Sequence, residues 1–353
     1  MPVKAAALLD AHLWACHFED LTRGFMNGTT KTGLFAYTLA AFLGLLIAHL
    51  VSPGRAAPQA LQEVRIGSSN ISATNFSTFY ARDRKFFQKE GLDAKIIIVR
   101  SEVALTALIA GNLDFTTLST TAMEGTMRGM PLRVVAITNQ YPLIGLVVND
   151  KIKKVADLKG RKLAVSSFGG SVYSAAVFLL KNYGLKPQED VAVLASGTNT
   201  ARMAALKQGA VDAALISSPD DLRAAKEGLT LLLDVGTIYK LPFGGISTTV
   251  AKIKENPMEV KRVLNAVVQA TKAIAEPQNR DDVINYIVSF FKLDKNIASE
   301  FYHRLIPSLS PSGIVGRDQI KLVIDSAVER GLADKPLDPD AVSDFSIAKQ
   351  LRF

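Results

Sequence analysis

The sequence predicts an α/β protein of two lobes, each built on βαβ units, joined by a two-stranded hinge. Three observations carry this prediction. Short apolar, strand-like runs alternate with helix-patterned segments from about residue 62 to residue 250, the pattern of a mostly parallel sheet covered on both faces. One stretch recurs, Ala107-Leu-Ile-Ala-Gly-Asn-Leu-Asp114 against Ala205-Leu-Lys-Gln-Gly-Ala-Val-Asp212. Beyond Val250 the pattern turns helical, too long for one more βα unit.

In the first half, Val64-Arg-Ile-Gly-Ser68 reads as a strand ending in a polar loop. Phe76, Phe79, Tyr80, Phe86 and Phe87 then recur on a helical face, which makes them core residues first. Phe76, near the loop, also stands as a ligand candidate. Ala94–Val99 is the next strand, followed by a helix from about Val103 to Ala110. Leu113–Leu118 and Leu132–Ile137 supply further short strands.

A second unit follows the charged connector Asn149–Lys162. Leu163–Ser166, Val191–Leu194, Val211–Ile216 and Leu229–Leu233 read as strands, with helices to about Tyr183 and across Thr200–Gln208. Ser218-Pro219-Asp220-Asp221 has the form of a helix start, with Ser at the N-cap, Pro next and acids in the first turn. Ile246–Val250 is a last strand, and helices follow from Pro257 to Arg330.

The two copies of the repeat lie 98 residues apart, and Gly111 meets Gly209, Asp114 meets Asp212 and Ser119 meets Ser217 at one offset. Each copy reads helix, glycine, short strand, polar loop, so duplication of a βα unit accounts for it. The aspartates are turn supports before they are catalytic candidates. The helical tail packs back on the first lobe in this reading. Lobe 1 is then 62–146 with 245–350, lobe 2 is 147–244, and the hinge runs through Leu143–Asn149 and Lys240–Ser247, with Gly244 and Gly245 giving it freedom.

Composition narrows the function. At 48% hydrophobic and 21% charged residues the chain is globular. The net charge of +8 invites nucleic acid, but the densest basic group, Lys153, Lys154, Lys159, Arg161 and Lys162, has no aromatic stripe and reads as a solvated face. No nucleic-acid partner is expected. Residues 33–51 are apolar and free of acids and bases other than His49, and Ser52-Pro-Gly-Arg-Ala-Ala-Pro58 follows. Read from Met26, with Lys31 as a positive n-region, this is a signal peptide cleaved near Ala56 or Ala57, and residues 1–56 are an upstream extension plus export segment. A retained membrane anchor is the alternative; either places the domain in the periplasm or at the cell surface. The only cysteine is Cys16, and a chain cut at that point keeps only His303 of its four histidines. Disulfides, a thiolate nucleophile and a multi-histidine metal site are thereby excluded, and no metal or cofactor is expected.

Ligands of open α/β sheets sit at strand C-terminal ends. The loops there hold Ser69, Asn70, Arg100, Ser119, Thr120 and Gln140 in the first lobe, and Ser167, Gly169, Gly170, Ser171, Thr198, Asn199 and Ser217 in the second. Several stand just before helices, whose free N–H groups hold anions, although each also has a plain reading as a cap or turn former. Arg100 can make a bidentate contact with a carboxylate, sulfonate or phosphate, or an ordinary salt bridge. The loops contain no histidine and no paired acids, and the serines have no evident base, so there is no catalytic set. The glycine-containing loops lack the lysine and spacing of a phosphate-binding NTPase loop.

Val64-Arg-Ile-Gly, Phe86-Phe-Gln-Lys-Glu-Gly-Leu92, the two repeat copies and Val155-Ala-Asp-Leu-Lys-Gly-Arg-Lys-Leu-Ala-Val165 together resemble the NMT1/THI5-like solute-binding proteins of ABC importers. That group is related to sulfonate-, nitrate- and taurine-binding proteins, and the resemblance covers about residues 64–332. It implies a periplasmic-binding-protein type II fold, a small-molecule solute in the interlobe cleft, a membrane permease and ATPase as partners, and a monomer. It also implies that the first strand-end loop and the loops with Ser119, Ser166–Ser171 and Thr198–Thr200 line the cleft. The ligand's identity does not carry over. The alternatives are a membrane-tethered sensor using the same cleft, and a pyrimidine-synthase-like enzyme, which this chain's lack of the histidine and cysteine-rich motif argues against.

Overall fold

The computed structural model describes residues 60–351 except Gly169; Cys16, Met26 and the 33–51 segment lie outside the described residues. Among the described residues ten strands occur, most of them separated by helices in chain order. The first five are β1 (Gln62–Ser68), β2 (Leu92–Ile98), β3 (Phe115–Thr116), β4 (Leu132–Asn139) and β5 (Ile144–Val148). The other five are β6 (Lys162–Val165), β7 (Ala192–Ala195), β8 (Ala213–Ser217), β9 (Thr230–Asp234) and β10 (Gly244–Thr249). The helices of the first part are α1 (Phe76–Asp83), α2 (Phe86–Lys89), α3 (Ser101–Ile109) and α4 (Ser119–Met127). Then come α5 (Ser171–Asn182), α6 (Asn199–Lys207) and α7 (Asp220–Lys226). The tail comprises α8 (Val250–Glu255), α9 (Pro257–Ala275), α10 (Arg280–Phe291), α11 (Lys295–Leu305) and α12 (Arg317–Glu329).

The strands form two five-stranded sheets, ordered β2-β1-β3-β10-β4 and β7-β6-β8-β5-β9. The result is a two-lobed α/β fold with matching layouts. Four strands of each sheet run in one direction, while β10 runs antiparallel to β3 and β4, and β5 antiparallel to β8 and β9. The sheets are mostly parallel in strand direction, as expected, each with one antiparallel strand. Each antiparallel strand is the first one after the chain changes lobes, so no crossover helix forces it parallel. The segment 144–148, read from sequence as part of the hinge, is a strand buried along its length. An expected boundary at residue 146 falls inside β5, whose pairing with β8 and β9 assigns it wholly to the second sheet.

Gly244 and Gly245 lie within β10, and neither has a positive φ. A Cβ on Gly245 would run into the Ala136 carbonyl, and one on Gly244 into Asn139 Oδ1 and the Thr74 carbonyl. Their need is close packing, and a bulky replacement would break the β4–β10 pairing before it reported on any hinge.

The repeat is matched bond for bond. Asp114 N donates to Arg65 O (2.8 Å) while Asp114 Oδ2 accepts from Arg65 N (2.8 Å). Asp212 N donates to Lys162 O (3.0 Å) while Asp212 Oδ2 accepts from Lys162 N (3.0 Å). Each aspartate thus fastens its turn to the neighbouring parallel strand instead of supporting only its own turn. Gly111 and Gly209 precede them at φ +75 and +71, backbone that a side chain would strain.

Helix α9 shows why the tail returns to the first sheet. Val260, Val263, Leu264, Val267, Val268 and Ile274 are buried on one stripe, and Pro257 opens the helix. A single apolar cluster also continues beneath both sheets, joining Leu105, Met123 and Val134 to Ile144, Leu163, Leu179 and Leu215.

Two polar clasps link the tail to the second sheet. On one side Ser174 of α5 donates to Glu124 Oε1 of α4 (3.0 Å). Arg330, at the end of α12, pairs with the same carboxylate and donates to Ser174 Oγ (2.8 Å). On the other side Arg304 of α11 bridges Asp221 (3.1 Å) and Asp234 (2.8 Å). Ser218, expected as an N-cap, donates instead to Asp221 Oδ1 (2.7 Å). Its peptide with Pro219 is cis, and α7 begins one residue later, with Pro219 in the cap position.

Burial pushes the Asp221 carboxyl up to about 6, against the lowering pull of Arg304. A folded pKa above the unfolded value means that stability from this group is full below the unfolded pKa, near 3.8, and is lost as pH rises through about 6. Wild type should therefore gain on the order of 2 kcal/mol relative to Asp221→Asn as pH falls from 7 to 4. Urea unfolding at stepped pH checks this; parallel profiles for the two proteins would refute it.

Candidate functional site

A cavity of about 210 Å³ opens between the C-terminal ends of the strands of the two sheets. That is smaller than the roughly 300–1,000 Å³ of sites for drug-sized molecules, so it suits a compact solute. Of the residues expected from sequence, it brings together Ser69, Asn70, Arg100, Ser119 and Thr120 from the first lobe with Ser167, Ser171, Thr198, Asn199 and Ser217 from the second.

Each of these side chains has a local reason for its place. Asn70 is held by Asn75, whose Nδ2 donates to its backbone O (2.8 Å) and its Oδ1 (3.0 Å). Ser119 and Thr120 open α4 and donate their hydroxyls to the carbonyls of Phe243 (2.8 Å) and Pro242 (3.0 Å), fixing the return crossing between lobes. Thr198 caps α6 by accepting from Ala201 N (3.2 Å). Asn199 accepts from Ser217 N (3.2 Å) and donates to Ser217 O (3.1 Å), tying α6 to the end of β8. Across the cleft Ser167 donates to Glu102 Oε1 (3.2 Å), and Ala73 N donates to Ser218 O (2.9 Å), so the lobes touch on both flanks of the cavity.

Arg100 lies exposed at the rim, where its backbone precedes the first turn of α3. Gly170 holds the N-cap position of α5 but is not in the cavity wall, and Gly169 lies outside the described residues. Two expected residues are elsewhere. Phe76 is fully buried among the rings of α1, α10 and α11, because the tail aromatics cover the face it presents. Gln140 turns away from the cleft, donating through Nε2 to Leu309 O (2.8 Å) and through its backbone N to Ser308 O (2.7 Å).

Sequence reasoning missed Asn75 and Arg202, and took Thr121 only as part of the loop that carries Ser119 and Thr120. All three line the cavity, and each has a buried polar atom with no hydrogen-bond partner in the protein: Asn75 Oδ1, Thr121 Oγ1 and Arg202 Nε. Such atoms are rare in folded proteins and mark places where a partner from outside belongs. Arg202 stands one helical turn into α6, three residues after Asn199, and that spacing behind a polar loop was the available signal. Burial draws its guanidinium down to about 10, still protonated at neutral pH.

Among the described residues the wall contains no Asp, Glu, His, Lys, Tyr or Cys. No described cluster of three or more His, Cys, Asp or Glu could hold a metal ion. Hydroxyls, amides, helix N-termini and guanidinium groups can bind and orient a polar or negative group.

The fold is shared with solved structures. A protein of Bordetella bronchiseptica RB50 is 22% identical with a TM-score of 0.70, over 83% of this chain and 97% of that one. The alkanesulfonate-binding protein SsuA of Xanthomonas axonopodis pv. citri, bound to MOPS, is 22% identical with a TM-score of 0.66, over 82% and 100%. The nitrate-binding protein NrtA of Synechocystis PCC 6803 is 15% identical with a TM-score of 0.70, over 82% and 88%. Comparison with curated proteins gives no match. Among sequence families, the one described as NMT1/THI5 like matches residues 73–280, which include both copies of the repeat and every described wall segment except the loop at Ser69 and Asn70. With two equivalent lobes, a polar cleft between them and a match over more than half its length, the chain belongs to the NMT1/THI5-like family.

Proposed function

We propose that this chain is the extracytoplasmic solute-binding component of an ABC importer, capturing a small polar or anionic organic molecule in the interlobe cleft without converting it. The observation that carries the reading is one small cavity walled from both lobes by hydroxyls, amides and guanidinium groups, three of whose residues keep a buried polar atom without a partner. Structural relatives that bind alkanesulfonate and nitrate support an anion, and the absence of acids from the wall agrees with it. The segments 140–143 and 235–243, where the chain changes sheets, act as the hinge in this proposal. Export rests on the apolar segment at 33–51. Among the described residues no helix is long and apolar enough to cross a membrane.

Native mass spectrometry of protein purified from its own host should show a bound small molecule that is released on unfolding. The same solute, added back, should raise Tm by mass action and be recovered unchanged. Turnover of the solute, or a broad solute panel with no effect on Tm, would remove the proposal. Co-isolation with a permease and ATPase tests the importer; solute binding without either would point to a tethered sensor.

A further inference from the structure

Arg202 is only 1% exposed, and its environment is incomplete. Its Nη1 donates to Gly197 O and its Nη2 to Asn199 Oδ1, both neutral acceptors, while Nε has no partner. Among the described residues no carboxylate lies within ion-pair distance of it. Asp220, whose charge reaches it, does so across Asn199, whose Nδ2 donates to Asp220 Oδ2 (2.9 Å). Asp220 is also paired with Arg223 (3.0 Å), so one carboxylate serves two guanidinium groups. A buried cation without a counter-charge is costly, and any group that supplies the charge gains by it.

The rest of the wall indicates what else the solute can carry. Among the described residues it holds no carboxylate to receive an ammonium group; at the exposed rim Arg100 and Glu102, which accepts from Ser167, carry opposite charges. An ammonium drawn into the cavity would lose water beside the buried Arg202 guanidinium, with no wall carboxylate to neutralise it. The unpartnered acceptor, Asn75 Oδ1, fits a neutral hydroxyl or N–H.

We infer, resting on the solute-binding reading above, that Arg202 reads the charge of the ligand and that the cleft takes an organic carboxylate or sulfonate bearing no ammonium group. Matched solutes test this: 2-hydroxyethanesulfonate against 2-aminoethanesulfonate, lactate against alanine, and larger hydroxy–amino pairs within the volume of the cavity, measured by calorimetry and thermal shift in low-chloride buffer. The best-bound member should be a hydroxy anion, at least about tenfold tighter than its amino partner, a difference of roughly one pKa unit's worth of charge preference.

Arg202→Met should abolish the anion-dependent rise in Tm while leaving the Tm of the solute-free protein equal or higher, since the uncompensated charge is gone. Arg202→Lys should keep a reduced anion dependence, which separates loss of charge from damage to the 197–199 loop. A best ligand that is zwitterionic or neutral overturns the inference and leaves solute binding standing, as does wild-type anion affinity in Arg202→Met. If no member of any charge binds, both readings fall.

Discussion

Arg330→Met should destabilise the protein by about 3–5 kcal/mol, the usual consequence of stripping one partner from a buried ion pair. Glu124 has no exposed surface, and its Oε2 already lacks a partner, so its charge depends on Arg330 and Ser174. Methionine keeps most of the arginine's packing against α5 and removes only the charge. The double variant Glu124→Gln with Arg330→Met should recover most of the loss, because the penalty comes from the stranded carboxylate. Urea unfolding of the wild type, both single variants and the double variant gives the coupling directly. A loss below about 1 kcal/mol in Arg330→Met, of the size seen for exposed pairs, would show that the pair is not sheltered as described.

Phe76→Ala should cost a further-reaching but comparable amount, about 3–5 kcal/mol, as expected for a phenyl ring removed from a packed core. Five rings surround Phe76 at centroid distances from 5.7 to 6.3 Å: Tyr80, Tyr286, Phe290, Phe291 and Phe301. They come from α1, α10 and α11, so the cavity left behind would loosen the attachment of the tail to the first sheet. Solute affinity, measured well below the lowered Tm, should stay within about threefold of wild type, a change of under 1 kcal/mol. A large loss of affinity with little loss of stability would return Phe76 to the binding site.

Much of this arrangement could be read from residue order alone, and the exceptions share a cause. The alternation of apolar runs with helical periodicity fixed the sequence of elements, and the repeat anticipated two equivalent lobes, down to paired roles for Asp114 and Asp212. Strand β5 escaped because Ile144–Val148 has no helix before it and pairs with strands more than sixty residues away; only the closed sheet explains it. The polar strand-end loops pointed to the cleft, since loop chemistry is local. The errors at Phe76 and Gln140 arose because both flank such loops while their side chains are claimed by the tail, at Phe301 and Leu309. Arg202 was hidden in the opposite way. An arginine among Ala201, Ala204 and Ala205 has the look of an ordinary solvent-facing helix residue, and only the packing of α6 against β8, with the guanidinium held by Gly197 and Asn199, buries it.

The apolar cluster shared by the two sheets also bears on time. Under the proposed function, a cleft opening about the cluster that holds Met123, Val134, Leu163 and Leu215 would fill more slowly than solute arrives. Capture would then wait on the protein's own fluctuation, lowering the association rate below the encounter limit. The same barrier stands in the path of escape, so a captured molecule is held for longer than its few polar contacts alone would hold it. Release becomes an act of whatever prises the lobes apart.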